Sequence, residues 1–287
     1  MKVLVTGING QLGHDVAIVL KDRGLDVLAP THSDMDITDR KAVDDYFEGN
    51  NPDAVIHCAA YTAVDKAEDE TELCRRVNVQ GTGNIAENCF RMDIPMMYIS
   101  TDYVFDGTGG RFREPCDPTN PINAYGLSKR DGETEVLRLN KQFIIRTSWV
   151  FGINGSNFIK TMRRLSETRN EVNVVDDQFG SPTYTKDLAH LLADMIVTER
   201  YGIYHACNEG VCTWADVAEE TFRLSGLKMK VNRITTDQYP MKTKRPMNSR
   251  LSTNSLKENG FKLLPDWKDA LSRFVSELDS DQRKKSV

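Results

Sequence analysis

A short apolar run at the start of the sequence leads directly into a glycine-rich turn, and this combination constrains the fold more than any other feature. The run KVLVTG (2–7) predicts a strand, and GINGQLG then places Gly7, Gly10 and Gly13 ahead of a helix over 11–23. Glycines at such a turn allow a tight reversal, close approach of a pyrophosphate and close packing of helix on strand. The helix amino terminus adds unpaired N–H groups and a positive dipole. The spacing GxxGxxG therefore predicts a dinucleotide site on a β-α-β unit.

The rest of the first half continues this alternation of strands and helices. Further strands are predicted over 25–30, 53–60, 94–101 and 142–151, and further helices over 39–49, 68–92 and 124–139. Continuous apolar strands separated by helices are typical of a parallel sheet covered on both faces. Right-handed crossovers then produce a doubly wound sheet. We therefore predict an α/β fold of the Rossmann type.

The alternation weakens after about residue 151, where loops rich in Gly, Asn and Pro separate shorter segments. We expect an NAD(P)-binding domain over 1–151 that includes the helix near residue 125. Residues 152–287 are expected to form mainly a smaller C-terminal substrate-binding lobe, partly interleaved with the core. No linker rich in Pro or Ser separates the two parts.

Charge and composition exclude several classes of partner and site. Lys and Arg total 37 against 42 Asp and Glu, for a net charge of −5, which argues against nucleic acid as a partner. No run approaches the roughly 18–20 apolar residues that span a bilayer, so we expect no membrane association. The six cysteines are scattered without a CxxC pair, which argues against a zinc site and favours a reducing, cytoplasmic location.

A Tyr and a Lys four residues apart form the second chemical motif. In a helix, Tyr125 and Lys129 project from the same face. A free tyrosine has a pKa of about 10, and a cation within about 4–6 Å stabilises the phenolate. We therefore expect Lys129 to lower the pKa of Tyr125, and Tyr125 to act as a general acid toward a carbonyl oxygen.

Polar residues follow the fourth predicted strand, and the second strand lacks an acid. Thr101 and Asp102 stand at the carboxyl end of 94–101, where open α/β sheets place their ligands. The Thr101 hydroxyl could bond the same carbonyl oxygen as Tyr125. The second strand ends in Thr31-His32-Ser33 instead of the Asp or Glu usual at an NAD ribose. This favours NADPH moderately and leaves NADH open.

Six segments spread along nearly the whole chain resemble the dTDP-4-dehydrorhamnose reductases, which are extended short-chain dehydrogenases/reductases. They are CAAYTAVDKAE (58–68), STDYVFDG (100–107), PINAYGLSK (121–129), RTSWVFG (146–152), DDQFGSPT (176–183) and RPMNSRL (245–251). The resemblance implies that NAD(P)H reduces the 4-keto group of dTDP-4-dehydro-6-deoxy-L-mannose to give dTDP-L-rhamnose, a precursor of cell-wall polysaccharide. The substrate would be a dTDP-sugar.

The resemblance also assigns roles to individual positions. Tyr125 would be the proton donor, Lys129 would contact the ribose and the Tyr, and Thr101 would contact the keto oxygen. Asp102 and Trp149 would lie beside the sugar. The cofactor would be held by Tyr125, Lys129, Gly7, Gly10, Gln11, Leu12, Gly13, Asp36, Ile37, Ala59, Ala60 and Tyr61.

A cationic segment in the second half suits a diphosphate. Lys242, Lys244, Arg245 and Arg250 lie within nine residues of an otherwise acidic chain, and Arg binds such groups bidentately. We predict Arg250, with Asn248, as a nucleotide contact.

Alternatives remain open. A 4,6-dehydratase would follow the Thr with an Asp-Glu pair, and a 4-epimerase would typically carry the second-strand acid. A non-catalytic regulatory subunit that resembles the family is a further alternative. The chemistry needs no metal, although some family members carry magnesium at a dimer interface, where Asp15 could sit. The resemblance allows a homodimer.

Overall fold

The computed structural model describes residues 1–240 and 242–285, with side chains described through residue 281. The strands in chain order are β1 Lys2–Thr6, β2 Asp26–Leu28, β3 Ala54–His57, β4 Met96–Thr101, β5 Gln142–Thr147, β6 Val150–Phe151, β7 Glu171–Val175, β8 Phe179–Gly180, β9 Thr183–Tyr184, β10 Gly202–His205, β11 Asn208–Glu209, β12 Cys212–Thr213, β13 Lys230–Ile234 and β14 Leu264–Asp266.

The helices follow the same order. They are α1 Gln11–Asp22, α2 Arg40–Asn50, α3 Val64–Ala67, α4 Thr71–Arg75, α5 Thr82–Met92, α6 Ala124–Val136, α7 Phe158–Leu165, α8 Thr185–Met195, α9 Trp214–Leu224, α10 Asn254–Glu258 and α11 Trp267–Lys285. A π-helical turn spans Arg76–Gly81, and 3-10 turns span Asp102–Val104 and Thr236–Gln238.

Six parallel strands form the central sheet in the order β2-β1-β3-β4-β5-β10. Alternate side chains of β1 face opposite layers: Val3 and Val5 pack with α1 and α8, whereas Leu4 packs with α2 and α5. Helices therefore cover both faces, and the predicted doubly wound α/β fold is confirmed. The chain order reverses beside β1, so the carboxyl ends of β1 and β3 border the crevice where such sheets bind ligands.

The C-terminal part contains four two-stranded pairs, β6–β9, β7–β13, β8–β12 and β11–β14. Its helices α7, α9 and α11 bury two apolar clusters of their own. However, β10 joins the central sheet beside β5, and α8 packs on α1. The domain division at residue 151 stays a prediction. Within the described part of the chain, no helix has both the length and the apolar character needed to cross a bilayer.

The helix predicted over 68–92 begins at Thr71 and remains helical through Met92, but it is not a regular α-helix throughout. The structure divides it into α4, the π-turn Arg76–Gly81 and α5. The π-turn carries Asn78, whose side chain bonds the backbone N–H and C=O of Tyr61 at 2.8 and 3.0 Å. These long-range bonds compete with regular helical geometry, and apolar periodicity does not encode them.

The strand predicted over 142–151 also breaks in two. Trp149 has φ 49°, in the left-handed region, and separates β5 from β6. A bulky residue rarely adopts this conformation. The break turns the Trp149 side chain out of the sheet register.

Replacement of Gly13 by alanine tests the packing of α1 on the glycine turn. A Cβ at Gly13 would lie 2.3 Å from the Gly7 carbonyl oxygen, so we expect Gly13→Ala to cost about 1–3 kcal/mol or more of unfolding free energy. Urea denaturation measures it. The matched control is Gly49→Ala in α2, where a Cβ meets no atom within 4 Å and should stabilise by about 0.5–1 kcal/mol. Equal effects at both positions would contradict the packing argument.

Candidate active site

A cavity of about 760 Å³ opens at the carboxyl ends of β1, β3 and β4. Most of the residues predicted for a site line it, although they come from distant parts of the sequence. They are Gly7, Gly10, Gln11, Leu12, Gly13, Asp36, Ile37, Ala59, Ala60, Thr101, Asp102, Tyr125, Lys129 and Trp149. Tyr61, Asn248 and Arg250 are not among the lining residues.

The glycine turn fits a pyrophosphate. Gly7 has φ 73°, and a Cβ there would lie 2.6 Å from the Ala59 nitrogen. The turn closes through a bond of 2.9 Å from the Gly10 N–H to the Gly7 carbonyl. Helix α1 starts after Gly10 with no side-chain cap and no acid in its first turn. Its first N–H groups therefore face the cavity without a competing anion, as phosphate binding requires.

The loop after β2 borders the far end of the cavity. The Asp36 carboxylate accepts bonds of 2.9 Å from both the N–H and the hydroxyl of Thr38, which fixes the turn at Ile37. A Cβ on Gly81 would lie 2.8 Å from the Ile37 side chain, so Gly81 in the π-turn leaves room for it. Thr31 and His32 also line the cavity here; the Asp34 carboxylate accepts from the N–H and hydroxyl of Thr31, and the Asp36 carboxylate lies 3.7 Å from the His32 ring nitrogen.

The loop after β3 approaches the cavity with its small residues. The Ala59 N–H donates to the Thr6 hydroxyl at 3.1 Å, and that hydroxyl also pairs with the His57 ring at 2.8 Å. Tyr61 turns away, because its hydroxyl donates to Glu70 at 2.7 Å. The structure therefore places Ala59 at the cavity wall and the Tyr61 ring outside it.

Helix α6 carries the Tyr and Lys into the cavity. It begins at Ala124 because the Asn123 side chain caps it, accepting from the Gly126 N–H at 2.7 Å. A Cβ on Gly126 would lie 2.2 Å from the Tyr103 carbonyl, so glycine allows the helix to lie directly against the turn after β4. The Tyr125 hydroxyl thereby reaches a hydrogen bond with Thr101.

Lys129 lies one helical turn further on and is only 2% exposed. Its ammonium donates to the Ile99 carbonyl at 2.7 Å and lies 4.0 Å from the centroid of the Tyr98 ring. Burial lowers the pKa of Lys129 to about 7, since the charged form loses its hydration.

The prediction of a lowered tyrosine pKa is wrong for this structure. Burial raises the pKa of Tyr125 above its ordinary value, the bond with Thr101 opposes this, and the nearby Asp102 carboxylate adds to the rise. The Lys129 ammonium is committed to the Ile99 carbonyl. Tyr125 is consequently protonated at neutral pH, the state that a proton donor requires.

Asp102 is 3% exposed and accepts from the Thr101 hydroxyl at 3.1 Å and from the Ser249 hydroxyl. Burial raises its pKa to about 6, because the carboxylate is removed from water. Ser249 was not among the predicted residues. It brings the C-terminal segment into contact with the end of β4.

An aromatic pair, Trp149 and Trp214, forms part of the cavity wall. The rings of Trp149 and Trp214 stack with centroids 4.0 Å apart and planes at 19°. A Cβ on Gly180 would lie 2.9 Å from the Trp149 ring, so Gly180 leaves the space that the ring fills. Sequence reasoning missed Trp214. The capping pattern Thr213-x-x-Asp216, which starts α9, was the available signal.

Asn248 and Arg250, the two predicted nucleotide contacts, are hydrogen-bonded to each other. Asn248 donates to the Arg111 carbonyl at 2.8 Å and accepts from the Arg250 guanidinium at 3.1 Å. Arg250 also covers the Phe179 ring, 4.5 Å from its centroid. Both flank Ser249, beside the cavity and not in its wall.

Two other cations of this segment are in ion pairs. Lys242 pairs with Asp69, and Arg245 pairs with Asp65 at 2.9 Å. These pairs tie the segment to the region of α3 and α4.

Asp15 is 2% exposed and accepts from the Thr185 hydroxyl at 2.5 Å. It lies between α1 and α8 inside the subunit. Among the described residues, no group of three or more His, Cys, Asp or Glu is placed to hold a metal ion.

Comparisons with known proteins agree along the whole chain. The family model described as RmlD substrate binding domain matches residues 1–280. The spore coat polysaccharide biosynthesis protein SpsK of Bacillus subtilis (strain 168) is 42% identical over 97% of this chain and 98% of its own. A dTDP-4-dehydrorhamnose reductase of Aggregatibacter actinomycetemcomitans is 41% identical over 94% of this chain and 97% of its own. The crystal structure of dTDP-4-dehydrorhamnose reductase from Bacillus anthracis str. Ames in complex with NADP has a TM-score of 0.94 and 40% sequence identity to this chain. The match covers 96% of this chain and 99% of that one.

The raised pKa of Asp102 should make the unfolding free energy depend on pH. A carboxyl that binds its proton more tightly when folded stabilises the protein below its ordinary pKa of 3.8, and this contribution is lost as pH rises through about 6. We expect the unfolding free energy of the wild type, relative to Asp102→Asn, to fall by about 2 kcal/mol between pH 4 and pH 7. Urea titrations across this range measure it. A constant difference would show that folding does not raise the pKa of Asp102.

Proposed function

We propose that this chain, which belongs to the family described as RmlD substrate binding domain, catalyses the NADPH-dependent reduction of dTDP-4-dehydro-6-deoxy-L-mannose to dTDP-L-rhamnose. The observation that carries the proposal is the convergence of Thr101, Tyr125 and Lys129 on one cavity with the uncapped start of α1. The reaction is a step of dTDP-rhamnose biosynthesis, which supplies polysaccharide.

NADPH supplies the hydride when it is bound. The start of α1 with Gly7, Gly10 and Gly13 would hold its pyrophosphate, because the first N–H groups of this helix have no side-chain cap and no acid beside them. Gln11 and Leu12 belong to the same turn. The residues proposed for the rest of the cofactor are Asp36 and Ile37 at the adenine, and Ala59, Ala60 and Tyr61 along its length. NADH is a second usable cofactor in this proposal.

The chain provides the proton and the stabilisation of the carbonyl oxygen. Tyr125 donates its phenolic proton to O4 of the sugar as C4 gains the hydride. Thr101 donates a hydrogen bond to the same oxygen, and the Lys129 ammonium stabilises the resulting phenolate. Thr101 and Lys129 are buried and Tyr125 is partly buried, and the limited access of water strengthens these interactions.

We assign the contacts with the dTDP-sugar to the remaining predicted residues. Trp149 would lie against the sugar ring, and Asp102 would accept from a sugar hydroxyl. Arg250, with Asn248, would contact the nucleotide at the outer edge, which lies beside the cavity wall.

A 4,6-dehydratase is disfavoured, since Thr101 is followed by one carboxylate, Asp102, and then by Tyr103. A regulatory subunit that binds the cofactor without turnover remains the alternative that an assay separates. A cytoplasmic location and a homodimer belong to the proposal. The first is supported by six cysteines without a disulfide, all within the described residues, and the second is tested by sedimentation.

The decisive assay is oxidation of NADPH, followed by its absorbance, with dTDP-4-dehydro-6-deoxy-L-mannose as substrate. We expect steady turnover by the wild type and a loss of roughly 10²–10⁴-fold in kcat for Tyr125→Phe, because the proton donor is removed. Tyr46→Phe, which deletes a hydroxyl from α2 away from the cavity lining, is the matched control and should keep wild-type turnover. Cofactor binding without any oxidation by the wild type would reject the reductase and favour the regulatory subunit.

A further inference from the structure

A buried ion pair lies directly beneath the catalytic groups and has no part in the chemistry described so far. Glu133 of α6 and Arg146 of β5 are each 3% exposed. Arg146 donates to both carboxylate oxygens, at 2.9 Å from Nε and 2.8 Å from Nη2. Burial of two charges is costly, so such a pair is weak evidence of a stabilising role.

The position of Glu133 links it to both predicted catalytic elements. Tyr125, Lys129 and Glu133 follow each other at four-residue intervals and therefore share one face of α6. The Glu133 carboxylate also accepts from the Ser100 hydroxyl at 2.5 Å. Ser100 directly precedes Thr101 in β4, so one carboxylate joins the helix of Tyr125 to the strand of Thr101.

The guanidinium is held from its other side. Arg146 Nη1 donates to the Pro115 carbonyl at 3.1 Å and lies 3.5 Å from the His205 ring nitrogen. Burial lowers the pKa of His205 to about 3, so that ring is neutral and adds no competing charge. These contacts fix the Arg146 side chain, and its two hydrogen bonds in turn fix the Glu133 carboxylate.

We propose that Glu133 is a positioning residue for the reduction. Hydrogen bonds from Ser100 and Arg146 fix its carboxylate, which holds α6 against the end of β4. The same carboxylate places a negative charge one helical turn from Lys129. This inference rests on the proposed function. It assigns a role to three residues, Ser100, Glu133 and Arg146, that touch neither the proton nor the hydride in transfer.

The charge of Glu133 opposes the effect of burial on Lys129. Burial lowers the pKa of Lys129, whereas the Glu133 carboxylate is the largest influence that raises it. The other titratable or aromatic groups that face Lys129 are Cys58 and His57 from β3 and its loop, Cys74 from α4, and the Tyr98 ring from β4. Glu133 is the carboxylate among these groups, so its removal should favour the neutral amine.

The test is the pH dependence of NADPH binding, measured by nicotinamide fluorescence, for wild type and Glu133→Gln. Affinity should fall as pH rises and Lys129 loses its proton. In Glu133→Gln the midpoint should move about one unit to lower pH, because a nearby carboxylate is lost. Glu135→Gln is the matched control, since it removes a partly exposed carboxylate of the same helix that pairs with Arg138.

Two further variants separate charge from position. Ser100→Ala keeps both charges and should lower kcat for the keto sugar without moving the midpoint of NADPH binding. Glu133→Gln/Arg146→Gln removes the unpaired guanidinium that could unfold the single variant, and it should still show a lower midpoint. A folded Glu133 variant with the wild-type midpoint would overturn the inference.

The binding readout also keeps the two proposals apart. A shifted midpoint in a protein that never reduces the keto sugar would reject the proposed substrate and retain the effect of Glu133 on Lys129. Turnover by the wild type with an unshifted midpoint in the variants would retain the reaction and reject the role of Glu133.

Discussion

The close approach of three backbone segments at the carboxyl end of β1 is the constraint on which the rest of the structure depends. Gly7, Gly13 and Ala59 meet there with no room for a Cβ on either glycine. This contact fixes the start of α1 against the loop after β3, and it leaves the first N–H groups of α1 facing the cavity. The crevice between β1 and β3 exists because these segments can touch.

Burial then determines the protonation of the site. Removal from water disfavours charge, so the pKa of Lys129 falls while those of Tyr125 and Asp102 rise. Each shift favours the neutral form of its side chain relative to the same group in water. A phenolic proton is therefore retained for transfer, and the charge of Lys129 depends on the carboxylate of Glu133. The buried charged groups of Lys129, Asp102 and Glu133 have hydrogen-bond partners, as their desolvation requires.

The sequence predicts those features that local spacing encodes. Strand, glycine turn and helix are consecutive, and Tyr125 and Lys129 are one helical turn apart, so the fold class and the centre of the site follow from short segments. Ser249 and Asp102 are 147 residues apart, and the pairings of Trp149 with Trp214 and of Glu133 with Arg146 also cross between elements. Only the folded chain brings such pairs together. The direction of the Tyr125 pKa shift was mistaken for the same reason, since it follows from burial and not from spacing.

Trp149 shows how the fold places backbone strain in the cavity wall. A left-handed conformation costs a bulky residue on the order of 1–3 kcal/mol, and it persists only where its surroundings impose it. Here the stack with Trp214 contributes about 0.5–1.5 kcal/mol and the space at Gly180 admits the ring, so the conformation is held before a ligand arrives. A ring oriented in advance loses little entropy on binding. The break between β5 and β6 is thus the structural condition for a rigid aromatic wall in the cavity that Tyr125 also lines.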